Sequence, residues 1–198
     1  MKITFSFPDR HEVQRFLATY PNQSVRFPCV GVTREPVAAL PGFDHDYRSI
    51  ELGEGAAVFA RAQELVRAWR VFPEGWCIPR PGHVAFRQGA TMVVLIRIFG
   101  IWWWCPSRVV YTLHEERRFG FAYAPLPGHP ELGEEQFLLE WLPANRVRYS
   151  IRAYSRPDHL LTRLGYYVVR AYQRKFVRES LRQLRTLSRS VASTGSIC

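Results

Sequence analysis

The feature that most constrains this chain is a run of six strand-like segments, divided by turn residues and followed by one long amphipathic helix. The segments are residues 75–79, 91–99, 107–115, 118–124, 134–142 and 146–154. A seventh, 47–52, comes before a helix predicted over 56–72. In that helix Val58, Phe59, Ala62, Leu65, Val66 and Trp69 recur at spacings of three to four, and Pro73 and Gly75 stop it. Glu116-Arg117 and Pro143-Ala144-Asn145 are short enough to be hairpin turns, which makes their flanking strands antiparallel. The terminal helix is predicted from 157 to about 189, with Leu161, Leu164, Val168, Tyr172 and Phe176 on one stripe. An antiparallel sheet cannot leave its apolar face bare, so it must fold onto that helix. The expected architecture is an α+β helix-grip fold: a strongly curved seven-stranded antiparallel sheet wrapped around a long C-terminal helix, with room for a cavity between them. The competing architecture is a closed barrel with peripheral helices.

The length of 198 residues suits one domain, and a chain that is 47% hydrophobic can bury a core, which excludes disorder as its main state. The expected organisation is an N-terminal extension over 1–25 with a short helix capped by Asp9, a single domain over 26–189, and a flexible tail over 190–198. Residues 27–33 read as a short extended segment and 35–46 as a loop. Cys29, Cys77, Cys105 and Cys198 form no C-x-x-C pair, which favours a reduced compartment over a disulfide scaffold. The N-terminus does not read as a signal peptide, and the longest apolar run, 92–104, is too short to span a bilayer as a helix. A soluble, cytoplasmic protein is expected.

Strand alternation assigns faces. In 146–154, Val147, Tyr149, Ile151 and Ala153 share the inward face. In 107–115, Val109, Tyr111, Leu113 and Glu115 share one face. In 134–142 the apolar phase of Phe137, Leu139 and Trp141 also includes Glu135. An inward carboxylate is costly unless it is paired or kept neutral, so Glu135 is either a general acid/base or an ion-pair partner at the strand end. The preceding segment, from Leu126 to Glu135, reads as a Pro/Gly-fixed loop presenting His129, Glu131, Glu134 and Glu135. His129 with Glu131 or Glu135 could run acid/base chemistry, or the carboxylates could simply pair with the arginine excess. The spacing fits no standard metal motif, and no nucleotide-binding or nucleophile motif is present, so no cofactor or metal is expected.

Two further features stand out. Trp102-Trp103-Trp104 cannot all point into one core, so at least one is expected at the surface, at a cavity mouth, a partner surface or a membrane-contacting loop, unless the run is a bulged hairpin end packed on the helices. Of the formal net charge of +10, residues 163–189 supply +7, and Arg170, Arg174, Arg178, Arg182, Arg185 and Arg189 line one side of the helix. That face is either solvated or a contact for a polyanion, nucleic acid or anionic membrane, although no nucleic-acid motif accompanies it.

Several motifs together resemble a known family. They are Val30-Gly31-Val32-Thr33-Arg34, Leu40-Pro41-Gly42-Phe43, Leu52-Gly53-Glu54-Gly55 with Phe59-Ala60-Arg61-Ala62, and Trp69. To these add Gly120-Phe121-Ala122-Tyr123, the 126–135 block with Phe137, and Ala153-Tyr154-Ser155-Arg156-Pro157. The chain is similar over about 27–187 to the bacterial and plant family called domain of unknown function 1990. It departs from it at Ala124-Pro125, where the family usually has Gly-Thr. The resemblance implies no established activity. Its element order is similar to the Bet v 1-like, START-like superfamily, whose members bind lipids, hormones or polyketides.

The functional expectation is therefore a cavity that binds a hydrophobic or aromatic small molecule, with cofactor-free acid/base chemistry as a further step. The expected proton-exchanging residues are His129, Glu135 and Glu131. Tyr123, Tyr154, Tyr111 and Trp69 are expected to contact the ligand, and Arg156 to hold an anionic group. The alternative is a non-enzymatic module that uses the arginine face of the terminal helix.

Overall fold

A computed structural model of the chain describes residues 1–35, 40–82 and 84–189. The expected 190–198 tail, Cys198 and part of the 35–46 loop lie outside the described residues. The elements run β1 (Lys2–Thr4), α1 (Arg10–Leu17), β2 (Asp44–Glu54), α2 (Ala56–Arg67), β3 (Cys77–Arg80), β4 (Thr91–Ile98), β5 (Ile101–His114), β6 (Arg118–Pro125), β7 (Glu131–Trp141), β8 (Arg146–Pro157), α3 (Leu160–Leu164) and α4 (Tyr166–Arg189). All pairings are antiparallel, and the order across the sheet is β2-β8-β7-β6-β5-β4-β3. The eighth strand, β1, is absent from the sequence reading and pairs with β5 through Lys2–Trp104, Ile3–Trp103 and Thr4–Trp102.

The concave face carries the main core. Phe119, Phe121, Phe137, Leu139, Val147, Tyr149 and Ile151 pack there with Phe59, Ala62 and Val66 of α2 and with Phe176, Leu181 and Leu184 of α4. Polar contacts fix α4 against the rest. The Tyr149 and Ser180 hydroxyls lie 3.0 Å apart, the Trp76 indole donates to Glu179 at 2.7 Å, and the Gln183 amide caps the Arg70 and Phe72 carbonyls. The terminal helix is broken once: α3 ends at Gly165 and α4 begins at Tyr166. The α2 helix is shorter than expected because Trp69 takes φ 59° just beyond it.

The convex face is covered as well, by two separate segments. Val13, Phe16 and Leu17 of α1 pack on Trp102 and Trp104, and the Lys2 ammonium sits 3.8 Å from the Trp104 ring. Trp102 and Trp104 therefore point outward yet are 7% and 0% exposed, while Trp103 points inward. The N-terminal cover keeps Trp102 and Trp104 from the surface, while Trp103, half-buried, lines the cavity.

Residues 27–33 form turns rather than an extended segment and wrap the second part of the convex face. They are held by the buried carboxylate of Glu134. It accepts from the Gly31 amide at 2.6 Å, the Thr33 amide at 3.0 Å and the Thr33 hydroxyl at 2.5 Å. Tyr111 and Gln136 complete the network.

Beta7 begins at Glu131, so the expected 126–135 loop contributes only its first half as a turn. Gly133, at φ 146°, sits where a Cβ would lie 1.8 Å from the Tyr154 carbonyl oxygen. Gly133→Ala should therefore force β7 and β8 apart, at a cost of about 3 kcal/mol or more. A denaturant midpoint unchanged from wild type would contradict this tight approach.

Candidate functional site

The N-terminal half of α4 stands off from the sheet, and the gap is a cavity of about 710 Å³. Its walls are largely apolar: Ile50, Val94, Ile96, Trp103, Val168, Val169, Phe176 and Val177. One end is polar and is built from β7 and β6. Period-two alternation puts Glu131, Gly133, Glu135 and Phe137 on the concave side, and the register sets Glu135 beside Tyr123 on β6 and Ala153 on β8.

The Tyr123 hydroxyl donates to Oε2 of Glu135. Burial raises the Glu135 carboxyl to about 7, with the Tyr123 bond opposing the shift and Glu131 adding to it. The Tyr123 phenol is pushed well above its ordinary value, by burial first and by the adjacent carboxylate second. Glu131 is raised to about 7 by burial as well. Its Oε1 accepts from the Gln173 amide at 2.7 Å, and the Gln173 carbonyl in turn accepts from Arg170 at 2.7 Å. Arg170 is held by Asp46 through two hydrogen bonds of 2.5 and 2.9 Å. The chain Asp46–Arg170–Gln173–Glu131 thus fixes which way the glutamine amide faces.

His129 borders the same end. Its Nδ1 accepts from the Glu131 amide at 3.0 Å, and burial holds its pKa down to about 4, so the ring is neutral near pH 7. Nδ1 also lies 3.0 Å from the Glu131 carbonyl oxygen. Cys77 and Cys105 also line the cavity, and burial raises both thiols, which keeps them protonated and unreactive.

The structure brings four expected site residues together on the cavity wall: Tyr123, His129, Glu131 and Glu135. Of the other four, Tyr154 borders the cavity and three lie off its lining. Tyr154 borders the cavity, but its ring stacks on His45, 4.5 Å away, on the convex face. Arg156 is exposed and sits over the Phe43 ring on that same side. Trp69 is a core residue whose indole donates to the Val84 carbonyl while its ring packs on Phe121.

Tyr111 lies in the convex network because a bulge between Val109 and Tyr111 shifts the register of β5. Val109 belongs to the concave core, whereas Tyr111 and Leu113 pack on Ala122 and Leu138. Arg156, Tyr111 and Trp69, expected to contact a ligand, therefore lie off the cavity lining, whereas Tyr154 borders it.

Sequence reasoning missed Asp46, Arg170, Gln173 and Trp103 as site residues. Gln173 had a signal, because it lies three residues from both Arg170 and Phe176 and so on the inward arc of the helix. Arg170 is removed from the expected arginine face by its pairing with Asp46, and Arg189 donates to the Leu52 carbonyl.

A curved antiparallel sheet gripping a C-terminal helix, with a hollow between them and two carboxyls on its wall, defines a helix-grip α+β protein. Residues 26–183 match the family model described as "Domain of unknown function (DUF1990)", and the chain belongs to that family. A "UPF0548 protein" of Deinococcus radiodurans is 36% identical over 146 residues, covering 68% of this chain and 73% of the relative. One of Dictyostelium discoideum is 30% identical over 154 residues, covering 72% and 71%. The relatives thus reach beyond the bacteria and plants expected.

Two solved structures share the fold. Hypothetical protein jhp0584 from Helicobacter pylori is 13% identical with a TM-score of 0.53, covering 79% of this chain and 95% of that one. TTHA0849 from Thermus thermophilus is 14% identical with a TM-score of 0.51, covering 76% and 99%. Among the described residues no helix is long and apolar enough to cross a membrane.

Proposed function

We propose that this protein binds a largely apolar small molecule between the sheet and α4 and acts on it by general acid–base chemistry. The observation that carries this reading is the cavity of about 710 Å³, largely apolar along its walls, with Glu131 and Glu135 at its polar end. The volume falls within the range of small-molecule sites. A carboxyl that titrates near 7 can both give and take a proton at neutral pH. Glu135 is the proton-exchanging group, with Tyr123 orienting it. Glu131 is the second, held by Gln173. His129 serves as a neutral hydrogen-bonding group rather than as a base, since its pKa is depressed. The Trp103 indole N–H is buried and has no acceptor among the described residues, so a ligand acceptor would satisfy it. The alternative reading, a non-enzymatic polyanion-binding module, rests on the exposed arginines of α4.

The test is titration with the neutral fluorophore N-phenyl-1-naphthylamine. Saturable binding with quenching of tryptophan emission is expected, and Ala153→Trp, which fills the cavity beside Glu135, should abolish it. Non-saturable binding, or binding that survives Ala153→Trp, would overturn the assignment.

A further inference from the structure

The cavity opens where α3, the start of α4 and the β4–β5 hairpin meet, and that rim is apolar and bare. Leu160 is 66% exposed, Leu164 76%, Tyr167 86% and Phe99 77%. Leu161 and Val168 are exposed too and also line the cavity. Large side chains this exposed at one place are not needed for the core, and a contiguous apolar patch marks a contact surface.

Phe99 adds a second and independent observation. It sits with Gly100 in the two-residue turn between Ile98 and Ile101, and its φ is 49°. Both central residues of such a turn need positive φ, a conformation that suits Asn, Asp or Gly and is costly for a bulky residue. A phenylalanine here costs backbone strain and hydrophobic exposure at once. Its ring reaches the Tyr172 ring, 6.1 Å away, so the hairpin tip and the helix form one rim.

The exposed stripe of α4 continues this rim with a change of chemistry. Leu164, Tyr167, Val168 and Ala171 are followed on the same arc by Arg174, Arg178 and Arg182, all exposed. Arg163 is exposed among the leucines. Glu179, the one acidic residue of α4, is turned away to Trp76. A second copy of the chain seated isologously on this face would offer its arginines no carboxylate from that face. The occupant must instead offer apolar depth and negative charge side by side, as the interface of an anionic lipid bilayer does.

We infer that the cavity mouth docks onto an anionic membrane surface, with Leu160, Leu164, Tyr167 and Phe99 inserted and Arg174 and Arg178 over the headgroups. The protein would lie on the bilayer without crossing it, so that an apolar ligand could pass between the lipid and the cavity without crossing water. The docking surface does not depend on what the cavity holds.

The experiment is co-sedimentation of the full chain with vesicles of phosphatidylcholine alone and of phosphatidylcholine mixed with phosphatidylglycerol, at low and high salt. Binding is expected to the mixed vesicles and to weaken with salt. Leu164→Asp with Tyr167→Asp should lower it by tenfold or more, since each buried side chain contributes about tenfold. Arg174→Glu with Arg178→Glu should lower it by at least about fivefold per arginine. Because these positions are exposed, circular dichroism should show both variants folded.

Ala153→Trp should bind vesicles like wild type, which separates failure of this surface from failure of the ligand reading. No binding to the mixed vesicles overturns the inference. So does unchanged binding by the Leu164/Tyr167 variant, which would leave only the arginines acting. A dimer in light scattering that Leu164→Asp abolishes would also overturn it, by assigning the patch to a second copy.

Discussion

Glu135→Gln is expected to make the protein more stable at pH 8 and to leave it nearly unchanged at pH 4.5. The glutamine keeps an acceptor for the Tyr123 hydroxyl but has no charge to bury. In the folded chain the Glu135 carboxyl titrates at about 7 instead of 4.5. Between those values the folded state holds a proton that the unfolded state has released. Its contribution to stability is therefore fully present below pH 4.5 and is lost as pH rises through 7. That interval corresponds to roughly 3 kcal/mol at 1.36 kcal/mol per pH unit. Allowing for relaxation around the charge, a gain of about 1–3 kcal/mol at pH 8 is expected, or a Tm higher by roughly 3–8 °C.

His129 works in the opposite sense over nearly the same range. Its pKa falls from 6.5 to about 4, so its contribution is present above 6.5 and lost as pH falls through 4. Glu131, also raised to about 7, adds a second loss with rising pH, so the wild type should lose stability as pH rises, and Glu135→Gln, which leaves Glu131 opposed by His129, should flatten the profile. Thermal melts at pH 4.5, 6 and 8 read both effects. A destabilisation by Glu135→Gln that is equal at all three would rule out a carboxyl biased toward its neutral form.

Glu134→Ala should show the largest loss. The carboxylate is 2% exposed and accepts from two amides and a hydroxyl of residues 31–33. Truncation removes charge-assisted bonds and strands the buried donors, at a cost of about 3–5 kcal/mol. The Tm should fall by roughly 6–20 °C. Thr33→Val removes only the hydroxyl and should cost about 1–2 kcal/mol. A double-mutant cycle between the two sites should give a coupling of at least about 1 kcal/mol, because they share one network. If Glu134→Ala loses less than about 1 kcal/mol in urea, residues 27–33 are not held by this carboxylate.

The contrast between Glu134 and Glu135 shows what alternation could and could not tell. Phase alone placed Glu135 among Phe137 and Leu139, and it faces the cavity. The same phase put Glu134 on a face that alternation treats as wet, whereas residues 27–33 seal it. Tyr154 of β8, on the same face as Glu134, is likewise buried there at 0% exposure.

Tyr111 was misplaced by the bulge after Val109, since one extra residue inverts every later side chain of the strand. No residue at 109–111 announces that bulge. The Asp46–Arg170–Gln173 chain was hidden differently. Its members lie 124 residues apart in the Asp46–Arg170 pair, and the sequence gives no means of knowing which strand a helix residue meets. The sheet-then-helix order, by contrast, was legible because hairpin spacing and helical periodicity are local.

The pairing of β1 with β5 also has a consequence in time. Trp104 donates to Thr4 across 100 residues of chain. During synthesis the first twenty residues leave the ribosome long before the strand they cover, and Val13, Phe16 and Leu17 have nothing to pack on until then. The cover must close a loop of about 100 residues for few contacts of its own, so the cost of loop closure favours it as a late arrival. Early in folding Trp102 and Trp104 would lie on an uncovered sheet face, and the N-terminal segment acts as a built-in, slow-closing shield against their association with other chains.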